Sequence, residues 1–225
     1  MNTASSIFGI SVFSIISFIC FIPALVLHEV SHGFVAYKLG DPTAKFSGRL
    51  SLNPLKHLDP FGTVILPLAL MVFNLPVFGY AKPVPYNPAY FKDLRKGELM
   101  VGLAGPCANL VMALVGALLG RVVMIAYPIN PSVFYWVYYV FYIFAQINLV
   151  LLFFNIIPIP PLDGSSIIAP LLSDKALRKY YSIQRYALPV MMVLLFIVPY
   201  ILNVNPIGIY LNATAGNLTN LLFGL

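Results

Sequence analysis

An all-α polytopic membrane protein is the fold class this sequence predicts. Three observations predict it: long apolar runs, a scarcity of charge, and short basic loops between the runs. Of 225 residues, 60% are hydrophobic and 9% are charged, against about 25% charged in a typical soluble domain. Lipid is therefore the solvent for most of the surface. The net charge of +6, taken alone, suits a nucleic-acid binder. The basic residues are instead scattered over loops that flank apolar runs, the pattern that sets membrane orientation, so nucleic acid is not expected as a partner. Cys20 and Cys107 both fall inside apolar runs, which argues against a disulfide framework.

A spanning helix needs about 20 apolar residues. Four stretches reach that length: residues 7–37, 99–127, 132–157 and 186–204. No Lys or Arg precedes Lys38, so the first stretch lacks the basic start of a signal peptide and is long enough to remain as a span. Pro23 is placed to kink it. Pro128, Asn130 and Pro131 mark the turn between the second and third spans. A fifth apolar stretch, 63–78, is only 16 residues long and is interrupted by Pro67 and Pro76. Lys38, Lys45, Arg49 and Lys56 precede it, and Lys82, Lys92, Arg95 and Lys96 follow it. The positive-inside rule puts both groups on the cytoplasmic side. The segment around 61–90 is thus expected to be re-entrant and extended, entering and leaving by one face. The N-terminus then lies outside, and Tyr135, Trp136, Tyr138 and Tyr139 fall at the outer interface. The uncharged tail, 206–225, is expected to form an interfacial helix. The chain 1–225 reads as one membrane-embedded domain, with a core at about 7–172 and a C-terminal span and tail at about 183–225.

The chemistry begins at His28-Glu29-Val30-Ser31-His32, near the inner end of the first span. Residues four apart share a helix face, so both imidazoles reach one metal ion, and Glu29 is placed to take a proton from water. Only three His and two Glu occur in the chain, so chance rarely produces the pattern. The plainer alternative is a pair of hydrogen-bonded histidines in a bundle core. Three ionisable groups within a span are costly, however, unless they serve one another. Catalytic zinc takes three protein ligands and leaves one position open. Asp163 follows the third span in Asn155-Ile156-Ile157-Pro158-Ile159-Pro160-Pro161-Leu162-Asp163-Gly164. Taken alone it reads equally as a ligand and as an N-cap for a helix that begins after it. Topology adds an argument: the histidines and Asp163 reach the same side only if 63–78 does not cross.

These residues resemble the site-2 protease family of intramembrane zinc metalloproteases. The likeness rests on the His-Glu-x-x-His motif inside a span and on Leu162-Asp163-Gly164 after a Pro-rich break. Gly105-Pro106-Cys107-Ala108-Asn109 is similar to the small-residue motif of that family's middle core helix. Gly79-Tyr80-Ala81-Lys82-Pro83-Val84-Pro85 is similar to the stretch after the re-entrant loop of its short prokaryotic members. The resemblance implies a three-helix catalytic core with one zinc held by His28, His32 and Asp163. Glu29 would be the catalytic carboxylate, and Asn155 would orient substrate or stabilise the oxyanion. It further implies hydrolysis of single-span membrane proteins or remnant signal peptides, as in regulated intramembrane proteolysis. The implied setting is a prokaryotic cytoplasmic membrane, with the active site toward the cytoplasm. No PDZ-like or CBS-like domain is inserted.

Other features stay open on sequence alone. Pro83, Pro85 and Pro88 enforce an extended chain. That chain reads either as an edge to which an unwound substrate adds as a strand or as a plain interfacial loop. Asn109, Gln146 and Asn148 lie within spans, where they line a hydrated cavity or, more simply, hydrogen-bond between helices. Gly102, Gly105, Gly116 and Gly120 suit close helix packing. The functional alternative is a zinc-containing membrane binding protein without catalysis, against which the intact Glu29 argues.

Overall fold

The computed structural model of the chain describes residues 6–7, 10–72, 79–126, 130–182 and 186–225. A two-residue antiparallel pair, β1 (Ser6–Ile7) with β2 (Ile10–Ser11), precedes α1 (Val12–Lys38). A short α2 (Thr43–Phe46) and α3 (Leu66–Val72) lead to the long α4 (Leu94–Ala126) and α5 (Pro131–Asn155). Smaller helices follow: α6 (Gly164–Ile168), α7 (Asp174–Ser182), α8 (Ala187–Met192), α9 (Val198–Leu202), α10 (Pro206–Leu211) and α11 (Asn217–Phe223). Among these, α1, α4 and α5 are each long and apolar enough to cross a membrane. The 27 residues of α1 give about 40 Å at 1.5 Å per residue, more than the ~30 Å of a hydrocarbon core. Pro23 lies inside α1 and Pro106 inside α4, and neither interrupts its helix. α4 begins at Leu94 because Arg95, Lys96 and Glu98 carry the helix beyond its apolar part.

α4 and α5 pack against each other, and α1 packs on both. Along α4 the small Ala113 and Ala117 face inward, while Leu114, Val115, Leu118, Leu119 and Val122 are exposed. Small side chains between helices and large ones toward lipid are the packing logic of membranes. A Cβ at Gly116 would lie 3.1 Å from Phe144 Cδ1, so its absence sets how closely α5 approaches. At the start of α5, Asn130 accepts from the Val133 N–H and Pro131 occupies the first turn. Pro128, the other residue expected in that turn, lies outside the described residues.

The segment expected to turn back does so. A π-helical turn, Pro60–Ile65, opens into α3, with the Asp59 carboxylate accepting from the Phe61 and Gly62 N–H groups. Tyr80 N–H then donates to Gly62 O at 3.0 Å, and the Thr63 hydroxyl donates to Tyr80 O at 2.7 Å. The chain therefore returns at residue 80 to the place it left at residue 62. Pro76, with the rest of 73–78, lies outside the described residues.

The C-terminal part differs from expectation. Pro189–Leu202 and Pro206–Phe223 are bent by 104°, around Asn203 with its left-handed φ of 51°. The second member is not an interfacial helix. Its Tyr210 hydroxyl donates to Phe153 O at 3.1 Å, Ala215 is buried with Ala113 and Leu149, and Phe223 packs on Tyr138 and Tyr142. These contacts climb α5 from its last turn to its first third, so the helix runs lengthwise along the bundle. Its polar residues permit this because they bond within the helix: Thr214 to Tyr210 O, Asn217 to Ala213 O and Thr219 to Ala215 O. Arg121 sits in the last turns of α4, where Nε and a terminal guanidinium nitrogen donate to Leu222 O and Leu221 O at the end of α11.

Candidate active site

Both imidazoles project from one face of α1 toward α4, and His28 and His32 are buried at 4% and 9% exposure. Gly105 makes room for them, since a Cβ there would lie 2.5 Å from His28 Cε1. Asp163 approaches from the other side, on the loop after α5. Its carboxylate makes no capping bond to α6, which separates the two sequence readings of this residue: the side chain is turned to the histidines instead. Gly164 and Gly102 let that loop close down. A Cβ on Gly164 would meet the Ile156 carbonyl carbon at 2.5 Å, and one on Gly102 would meet Ser166 Cβ at 2.7 Å.

The three donor atoms converge tightly. His28 Nε2 and His32 Nε2 lie 3.1 Å apart, and Asp163 Oδ2 lies 3.1 and 3.3 Å from them. Tetrahedral zinc, with Zn–N and Zn–O of about 2.0–2.2 Å, holds its ligand atoms about 3.3–3.6 Å apart. The far ring nitrogens face oxygens, His28 Nδ1 to Asn109 Oδ1 at 2.5 Å and His32 Nδ1 to Val101 O at 2.7 Å. A neutral imidazole placed this way carries its proton on Nδ1 and turns a bare Nε2 toward its neighbour. Asp163 Oδ2 is itself buried with no hydrogen-bond partner among the described residues. Three lone-pair donors that face one another at this spacing fit one divalent cation, and His28, His32 and Asp163 are the residues that could hold it.

Glu29, half-buried beside His28, accepts a 3.0 Å hydrogen bond from the Val84 N–H. Val84 belongs to the extended segment that follows the re-entrant turn. This strap lies close on α1 because residue 33 is glycine: a Cβ there would come 2.6 Å from Val84 Cγ1. The strap is fixed at several points. Lys82 N–H donates to His57 O, Arg49 donates to Lys82 O and Pro83 O, and Asn87 N–H donates to Asp41 Oδ2 at 2.6 Å. Burial works against ionisation of Asp41, yet the Thr43 hydroxyl and the Asn87 and Thr43 N–H groups hold its carboxyl below the usual range. In residues 80–85 the N–H groups of Tyr80, Lys82 and Val84 are taken, and Pro83 and Pro85 have none. Among the described residues, only the Ala81 N–H of this stretch is left for an added strand.

Asn155 and the other polar and ionisable groups divide. Asn155 donates to Leu151 O in its own helix and makes no hydrogen bond to Glu29 or the three convergent residues. Asp59 and Asp93 cap turns, and Asp174 pairs with Arg95 at 2.5 Å. His57 is buried in the loop, with Nε2 facing Ser51 O at 2.7 Å. Ser31 donates to Leu27 O in α1. Asn109 and Asn148 are fully buried and bonded to each other across α4 and α5, whereas Gln146 lines an apolar cavity. The sequence did not single out Tyr86. Burial, and then the Glu98 and Asp163 carboxylates, push its phenol pKa up, while a bond to Ser166 works the other way.

Comparison with known proteins points to a zinc metalloprotease. The sequence model of peptidase family M50 matches residues 116–198, which include Asn155 and Asp163. YwhC of Bacillus subtilis, which carries a provisional zinc-metalloprotease name, is 40% identical over 199 residues, covering 85% of this chain and 81% of YwhC. Rip2 of Mycolicibacterium smegmatis, provisionally named in the same way, is 32% identical over 76% of this chain and 63% of its own length. The zinc metalloprotease MJ0392 of Methanocaldococcus jannaschii is 28% identical over 76% of this chain and 38% of its own. No solved structure matches the chain. The chain belongs to peptidase family M50, the site-2 proteases, and is an integral-membrane zinc metalloprotease.

Proposed function

We propose that this protease hydrolyses peptide bonds of single-span membrane proteins or remnant signal peptides, with its active site toward the cytoplasm and residues 1–225 acting as one catalytic domain. One observation carries the reading: two imidazoles from a spanning helix and a carboxylate from a distant loop converge within 3.3 Å, with Glu29 beside them. In this reading His28, His32 and Asp163 hold one zinc ion. When bound, zinc polarises the scissile carbonyl and acidifies water. Glu29 takes the proton from that water and passes it to the leaving amine. The Val84 N–H keeps the Glu29 carboxylate aimed. Asn155 faces the substrate carbonyl once its amide leaves Leu151 O.

A helical substrate must unwind, because its carbonyls are bonded and shielded. An apolar cavity of about 490 Å³ lies between α1, α5 and the C-terminal helices, with Phe21, Gly79, Val150, Phe154, Phe196 and Ile207 in its walls. It suits apolar side chains of such a segment, although its described walls include none of His28, Glu29, His32 or Asp163. The test is co-expression with a library of single-span proteins, comparing the native chain with Glu29→Gln. Fragments made by the native chain, absent with the variant and abolished by chelation, are expected. Fragments that persist unchanged with the variant would end the assignment.

A further inference from the structure

Beneath the histidines, the three spanning helices are joined by one chain of hydrogen bonds, and that chain has a direction. It starts at the Phe144 carbonyl in α5. A carbonyl only accepts, so Asn148 presents its Nδ2 there, at 2.8 Å, and points its Oδ1 the other way. Asn109 in α4 donates to that Oδ1 at 2.8 Å, and its Nδ2 also faces Ala24 O in α1 at 3.5 Å. The reverse orientation of Asn109 would set oxygen against oxygen at both places. Its Oδ1 is therefore the atom that meets His28 Nδ1 at 2.5 Å. An acceptor at that position requires a proton on Nδ1 and leaves Nε2 bare for a metal. Asn109 and Asn148 are both fully buried, so water does not offer either amide an alternative partner.

We propose that Asn109 and Asn148 are positioning residues that set the tautomer of His28 for metal ligation, with Asn148 acting through the Asn109 amide. The proposal rests on His28 being a metal ligand. It goes further in assigning a task to a residue that touches neither metal nor substrate. His32 needs no such chain, because Val101 O fixes its ring directly.

The test uses the full chain in detergent with ¹⁵N-labelled histidine rings; three histidines keep the spectrum simple. Tautomers are read in the metal-free protein, and zinc affinity is read by competition with a chelator. Asn148→Leu removes the 2.8 Å acceptor and leaves only the long 3.5 Å contact to Ala24 O to hold the Asn109 amide. His28 should then shift toward the Nε2–H form, and zinc should bind about 10- to 100-fold more weakly, the usual cost of losing an outer-shell partner. Asn148→Asp, kept neutral by its full burial, donates its O–H to Phe144 O and offers its other oxygen to Asn109, and should hold His28 on Nδ1–H and restore the affinity to within a few-fold of native. If the leucine variant fails to fold, Asn148→Ala replaces it. A leucine or alanine variant that keeps the native tautomer and affinity overturns the proposal, as does an aspartate variant no better than leucine. A native protein that binds no zinc would overturn the ligand reading instead, and the tautomer spectra would still decide the role of the two amides.

Discussion

The floor and the roof of the site are held by different kinds of group. Below the imidazoles every partner is sealed inside the spans: Asn109 and Asn148 are fully buried and Val101 is 2% exposed. Above them, among the described residues, the Glu29 carboxylate is held by one N–H, that of Val84, on a strap outside the three core helices. In the proposed reading, the difference teaches that metal geometry and proton transfer are secured separately. One depends on groups shielded from water, the other on a contact that can part without moving a ligand. Mutations should therefore divide into those that lose zinc and those that lose only turnover.

The largest effect is expected from Glu29→Gln. Cleavage should fall by about 10²–10⁴-fold, the usual weight of a general base, while metal analysis still finds zinc. Loss of zinc in that variant would break the division. Next comes the floor. Gly105→Ala drives a methyl group into both imidazoles, and overpacking costs typically about 1–3 kcal/mol. Zinc affinity should drop by roughly the matching 5- to 150-fold, as measured by chelator competition. The strap should give a smaller effect of the opposite kind. Val84→Pro removes the N–H that serves Glu29 and suits the extended backbone before Pro85. A hydrogen bond to a charged group is worth about 1.5–3 kcal/mol when buried. Glu29 is only half-buried, so turnover should fall about 10-fold with zinc unchanged. Val84→Ala, which keeps the N–H, should retain most activity, and equal losses in the two variants would refute the orienting role.

The smallest effect concerns the strap's far anchor. The Asp41 carboxyl is held below its usual range in the folded protein, so its contribution to stability is complete above an unfolded value near ~3.9 and fades as pH falls through the lower folded value. Asp41→Asn should lower thermal stability modestly at neutral pH, where that contribution is complete, and flatten the acid limb of the profile below about pH 4.

Part of this was legible in the sequence for a definite reason. His28, Glu29 and His32 declare themselves because side-chain identity and helical spacing put two imidazoles on one face with a carboxylate beside them. Asp163 does not, since a carboxylate before a helix start serves equally as a cap; only the fold shows that cap unused. Val84 and Val101 are beyond any side-chain pattern, because they act through main-chain groups that nearly every residue carries. Basic residues on both sides of 63–78 correctly foretold its return, but prolines could not tell which way the strap's donors point. Hydropathy located α5 within two residues at either end. It misplaced the last helix, whose Thr and Asn side chains look interfacial until they are seen bonded within the helix.

The separation of the donors along the chain has a consequence for biogenesis. The third donor is synthesised about 130 residues after the second, which at 5–20 residues per second leaves a gap of roughly 10 s. Throughout that interval a nascent chain carries two imidazoles in lipid with no carboxylate to complete them. With Asp163 as the proposed third ligand, hydrolytic competence arrives only once the loop after α5 is made, and a ribosome that stalls earlier leaves behind an inert fragment rather than an unguarded protease.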